Sequence, residues 1–226
     1  MLLANLDYLI NNPWFALWEI LGILASLVIG ITIHEFSHAI LAYKFGDDTA
    51  KLEGRLTINP MKHLDPLGSI MLLVAGFGWG KPVPVNPFKV GNKRSRNLAI
   101  ISLAGPISNL ILGAILGTIF RMGLFSNDYS INSFPIVVIL DLMITLIYVN
   151  VILAIFNLIP ISPLDGSKIL AAILPSKYTP YLIQLDRWGP PILLSVIVVD
   201  IFLNIGILST IISPIVLAIV KLFIGT

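Results

Sequence analysis

The chain has 226 residues, 57% of them hydrophobic and 12% charged, with a mean hydropathy of +0.94. A water-soluble domain carries about 25% charged residues, so a soluble globular class is excluded and a polytopic membrane protein is indicated. A formal net charge of +2 without a basic tail gives no electrostatic footprint for nucleic acid, and the lack of cysteine removes disulfides and thiolate chemistry.

Residues 1–12 lack a basic n-region and a small-residue cleavage site, and read as mature sequence rather than a signal peptide. The first apolar element covers residues 14–43. At ~1.5 Å per residue it reaches ~45 Å, beyond the ~30 Å hydrocarbon core, so its far end approaches an interface. The next apolar run, residues 67–79, is too short to cross and is punctuated by Gly and Pro, the pattern of a re-entrant or interfacial element. K-P-V-P-V-N-P follows at 81–87 and reads as extended backbone, because proline fixes φ and restricts its predecessor. A second span covers 98–120 with no charge, and a third covers 135–160 with only Asp141. The last apolar region, 189–220, carries only Asp200, is long for one span and contains Gly206 and Pro214. Two helices joined by a tight turn are expected there.

The fold class is therefore an all-α polytopic membrane protein, a helical bundle of four to five spans with a re-entrant or extended element between the first two. One domain over 1–226 is expected, with a motif-bearing core at 14–175 and C-terminal helices at 181–226. No Lys or Arg precedes the first span, nine lie between the first and second, and Lys168, Lys177 and Arg187 follow the third. By the positive-inside rule those two loops are cytoplasmic and the N-terminus is outside. An integral, multi-pass protein of the cell membrane is expected.

The first span contains H-E-F-S-H at 34–38. Residues four apart on a helix differ by ~400°, so His34 and His38 leave one face a turn apart, and their ring nitrogens can meet one zinc ion. Glu35 lies ~100° round, suited to act as a general base on the attacking water rather than as a third ligand. Ionisable groups at this depth are costly, and a bound metal is one compensation. An incidental polar cluster inside a bundle is the alternative. A catalytic zinc takes three protein ligands. His63 lies in the loop after the first span, whereas Asp165 ends the third span on the same side as the histidines. The Asp165-Gly166 pair also suits a turn or helix cap.

Three motifs in order carry a family resemblance: H-E-F-S-H, A-G-P-I-S-N at 104–109, and N-L-I-P-I-S-P-L-D-G at 157–166. They resemble the site-2 protease family of intramembrane zinc metalloproteases. Residues 59–68 and 77–87 are similar to its bacterial and archaeal branch, and the likeness spans 31–166. It implies one Zn2+ per chain held by His34, His38 and Asp165, with Glu35 as catalytic base. It implies cleavage of a peptide bond in or near the transmembrane segment of single-span membrane proteins, with the lipid bilayer as surroundings. It also brings Asn109 and Asn157 near the site, toward the substrate backbone or the oxyanion. The chain length leaves no room for the PDZ or CBS domain that many members carry, so a minimal form is expected.

From the residues alone, both asparagines equally fit hydrogen bonding between helices, and Asn150 reads as packing on the face of Asn157. Gly105 with Pro106 suits a kink or close approach at a cavity wall. His63 reads as an interfacial side chain. Two other functions stay open: an ion or metal transporter using intramembrane His, Asp and Glu, and an inactive relative acting as a binding module.

Overall fold

The computed structural model describes residues 13–75, 78–123, 134–203 and 205–225. Residues 1–12, and Gly76 and Phe77 of the short apolar run, lie outside them. The long helices are α1 (Pro13–Lys44), α4 (Arg94–Arg121), α5 (Phe134–Asn157), α7 (Thr179–Leu203) and α8 (Ile207–Ile224). Each contains a stretch long and apolar enough to cross a membrane, which makes five among the described residues. Shorter helices are α2 (Thr49–Leu52), α3 (Pro66–Ala75) and α6 (Asp165–Ile173), with 3₁₀ turns at Pro60–Lys62 and Ser176–Tyr178.

Local chemistry explains several of these boundaries. Inside α1 the Thr32 and Ser37 hydroxyls donate to the carbonyls of Val28 and Ile33, four residues back, which hides them from an apolar surround. Lys44 sits in its last turn, where a cation faces the negative end of the helix dipole. The last apolar region is two helices, as its length and Gly206 lead one to expect. Gly206 takes a left-handed conformation (φ 75°), and the Asp200 carboxylate accepts from the backbone N–H of Ile207 at 2.5 Å and Leu208 at 3.3 Å. Asp200 therefore caps α8. The start of that region is corrected: α7 begins at Thr179 and runs through Pro190 and Pro191 rather than starting at 189.

Helices α1, α4 and α5 pack pairwise into the centre of the bundle, and α6 lies against α4. α8 closes the far side, where Val216 and Val220 meet Ile147 and Val151 of α5. α7 is held more lightly, through Leu193 and Ile197 against Leu164.

The connection from α1 to α4 is fastened at close intervals. Asp47, fully buried, accepts from Thr49 N (3.0 Å), Thr49 Oγ1 (2.5 Å) and Asn86 N (2.6 Å). Lys81 N donates to His63 O at 2.8 Å, Arg55 Nη2 donates to Lys81 O at 2.5 Å, and Asn97 Nδ2 donates to Val90 O at 2.6 Å. Residues 81–86 belong to no helix or strand, and the only ladder pairing among the described residues is the isolated Leu64–Gly80 bridge. His63 is not an interfacial side chain. It is fully buried, with Nε2 2.7 Å from the Thr57 carbonyl, because the 55–65 loop wraps it while its own carbonyl receives Lys81.

Candidate active site

His34 and His38 project from α1 toward the N-terminus of α6, where Asp165 begins that helix. The three form one buried group whose candidate ligand atoms lie within 4.8 Å of one another. Asp165 Oδ2 is 3.0 Å from His34 Nε2 and 3.1 Å from His38 Nε2. Helix α4 supplies the backing. His38 Nδ1 sits 2.6 Å from the Ile101 carbonyl, which can only accept, so Nδ1 carries a hydrogen and Nε2 is the nitrogen turned to Asp165. A ring nitrogen and a carboxylate oxygen at this distance need a proton or a metal ion between them.

The donor set fits a metal. Two imidazoles and a carboxylate are a zinc-type set, and metal-ligating histidines commonly donate their other N–H to a backbone carbonyl, as His38 does to Ile101. The Nε2–Oδ2 separations of 3.0 and 3.1 Å are close to the ~3.3 Å edge of a tetrahedron with ~2.0–2.1 Å bonds. Burial opposes ionisation of Asp165, but hydrogen bonds from His34 and His38, with the charges of His38 and Lys168, hold its carboxyl well below the usual carboxylate range.

Two glycines make the approach possible. A Cβ on Gly105 would lie 2.5 Å from His34 Nε2 and 2.5 Å from His38 Nε2, so any side chain there collides with both rings. A Cβ on Gly166 would lie 2.3 Å from the Leu158 carbonyl oxygen, so the bend of 158–165 can fold onto α6 only with glycine there.

Glu35 is half-buried beside this group, and the Val83 N–H donates to its Oε2 at 2.8 Å. Both line a cavity of about 490 Å³ with His34, His38, Asn157 and Asp165. Pro82, Val83, Val85 and Pro87 of the proline-rich segment form another part of its wall.

The motif of Peptidase family M50 matches residues 122–181, which include Asp165. YwhC of Bacillus subtilis (strain 168), whose name provisionally makes it a zinc metalloprotease, is 43% identical over 166 residues, covering 73% of this chain and 74% of YwhC. The chain belongs to peptidase family M50, the site-2 protease family. Rip2 of Mycolicibacterium smegmatis, provisionally named in the same way, is 30% identical over 170 residues, covering 74% of this chain and 62% of Rip2. The zinc metalloprotease MJ0392 of Methanocaldococcus jannaschii is 32% identical over 170 residues, covering 75% of this chain and 38% of its own. No solved structure matches the chain. As an M50 member with five apolar helices it is a metalloprotease and an integral, multi-pass membrane protein.

In this M50 chain the residues singled out in the sequence separate into groups. His34, His38 and Asp165 meet, with Glu35 next to them on the cavity wall. Asn157 also lines the cavity, and its Nδ2 donates to Leu153 O at 2.9 Å. Asn109 is fully buried behind His34 and is not among the lining residues. Asn150, fully buried, donates to Leu146 O at 2.8 Å. Three contacts were not read from the sequence: the Ile101 carbonyl on His38, the Val83 N–H on Glu35, and Lys168 Nζ 3.4 Å from Asp165 Oδ1. Backbone groups leave no residue-type signal, but Lys168 lies one helical turn after Asp165 and its spacing gave a hint.

Proposed function

We propose that the chain is an intramembrane zinc endopeptidase that hydrolyses a peptide bond in or near the transmembrane segment of membrane-protein substrates, as in regulated intramembrane proteolysis. The carrying observation is the convergence of His34, His38 and Asp165 beside Glu35 on a cavity bounded by α1, α4, α5 and α6. On this reading His34 Nε2, His38 Nε2 and an Asp165 oxygen hold one zinc ion per chain. The zinc metalloprotease names of YwhC, Rip2 and MJ0392, and a donor set of two imidazoles and a carboxylate, support that choice. Bound zinc supplies Lewis acidity to a substrate carbonyl and to water.

The remaining steps belong to the chain. Glu35 is the general base. Its Oε2 is held by Val83, and its Oε1 has no partner among the described residues, so Oε1 is available to take a proton from water and return it to the leaving amine. Asn157 is the lining amide that stands available for the substrate backbone or oxyanion.

A helical substrate has its carbonyls already bonded, so the scissile segment must extend before attack. The proline-rich wall at 81–87 offers backbone partners to such a segment, as in strand addition. The loop charges support a cleft opening toward the cytoplasm with the N-terminus outside.

Co-expression with candidate single-span proteins, wild type against Glu35→Gln, tests this reading. The wild type should release fragments whose new termini, mapped by mass spectrometry, fall in or near the span. Cuts confined to distant soluble regions, or equal cleavage by Glu35→Gln, would sink it.

A further inference from the structure

We propose that Asn109 is a positioning residue for His34: its side-chain carbonyl accepts the His34 Nδ1–H and so holds Nε2 toward Asp165. The inference rests on His34 being a metal ligand, and it gives Asn109 a different role from oxyanion stabilisation. The first observation is access. Asn109 has no exposed surface, while Asn157 lies on the cavity wall, so a substrate carbonyl reaches Asn157 and not Asn109.

The second observation is an unmatched atom. Asn109 Oδ1 is buried without a hydrogen-bond partner, while Asn109 Nδ2 lies 3.4 Å from His34 Nδ1. With His34 ligating through Nε2, its Nδ1 bears the hydrogen, and two donors would then face each other. The oxygen and nitrogen of a side-chain amide are told apart only by their hydrogen bonds. A half-turn of the Asn109 amide brings Oδ1 onto Nδ1–H, so that donor meets acceptor and the carbonyl gains a partner, and it turns Nδ2 to the place Oδ1 held. That leaves a buried carbonyl, otherwise costly, with a donor to satisfy it.

The third observation is symmetry of support. The Ile101 carbonyl holds Nδ1 of His38, and Asn109, farther along the same helix, reaches Nδ1 of His34. Helix α4 thereby sets the tautomer and tilt of both rings, which stand at 83° to each other. Gly105, between these two positions, leaves the space in which the rings lie. Such outer partners raise ligand basicity and fix orientation.

The test is zinc affinity of the purified full chain, read by competition with a chromophoric chelator, for wild type, Asn109→Leu, Asn109→Asp and His34→Ala. Asn109→Leu keeps the branched shape, with bulkier ends, but removes the acceptor, and should weaken zinc binding about 10–100-fold. Asn109→Asp keeps the acceptor and should bind zinc as tightly as wild type or tighter. A purely structural amide gives the reverse order, because a buried carboxylate disturbs packing more than leucine. Wild-type zinc affinity in Asn109→Leu, or an Asp variant weaker than the Leu variant, overturns the inference. Should Asn109→Leu fail to fold, Asn109→Asp alone decides: affinity within about threefold of wild type supports the role, and a tenfold loss refutes it. His34→Ala separates the two levels. If it binds zinc normally, the ligand assignment itself has failed; if it loses zinc while Asn109→Leu does not, only the positioning role has failed.

Discussion

Replacing Gly105 by alanine adds one methyl group at the most crowded point of the site. The new Cβ would stand 2.5 Å from His34 Cε1, 2.5 Å from His34 Nε2 and 2.5 Å from His38 Nε2. Non-bonded carbon contacts settle near 3.5–4.0 Å, so about 1 Å must be found. The rings cannot swing aside freely, since His38 Nδ1 is held at 2.6 Å by Ile101 on the same helix as the intruding methyl. Retreat of α4 is also opposed farther along the helix, where Gly117 is pressed against Phe223 of α8. Overpacking of this kind costs roughly 1–3 kcal/mol, and ligand positions in a metal site tolerate only about 0.2 Å. Gly105→Ala is therefore expected to lose zinc affinity by more than the ~10–100-fold typical of removing an outer hydrogen-bond partner, while the helical bundle persists. Chelator competition on the purified variant, with circular dichroism for helix content, reads both. A folded Gly105→Ala protein with wild-type zinc affinity would refute the packing of α4 against the two imidazoles.

Three other changes probe separate parts of the site. Removing zinc from the purified protein with a chelator should lower its thermal midpoint reversibly, by the equivalent of about 2.7 kcal/mol where free zinc had stood at 100 times the dissociation constant. No shift would mean that no metal is linked to folding. Lys168→Ala should change zinc affinity by less than about fivefold in chelator competition, because its contact with Asp165 is solvent-exposed on the lysine side and such pairs are worth at most about 1 kcal/mol. Asp47→Ala removes three hydrogen bonds to a buried carboxylate and should cost roughly 2–4 kcal/mol, with amide exchange speeding up at Asn86 and Val83 while zinc stays bound.

The parts of the site that were legible in the sequence are those where an ionisable residue stands in apolar surroundings. His34 and His38 declare themselves by helical spacing, and Asp165 by ending a span on the same side. The five helices follow from hydrophobic length, and the turn at Gly206 from a run too long for one crossing. The rest depends on tertiary placement. Nothing in the residue type of Val83 or Ile101 announces that a backbone group will meet Glu35 or His38. His63 reads as an interfacial side chain but is fully buried, because the 55–65 loop folds round it. Asn109 and Asn157 each sit in a spanning helix, yet one is sealed behind His34 and the other opens on the cavity. Only the packing of α4 against α1 separates them.

X-ray absorption at the zinc edge of the wild-type protein bears most directly on the ligand assignment. The site built from His34, His38 and Asp165 predicts one zinc per chain with two imidazole nitrogens and at least one oxygen donor in its first shell. Three imidazoles would enlist His63, the one other histidine in the sequence, and would contradict the assignment of Asp165.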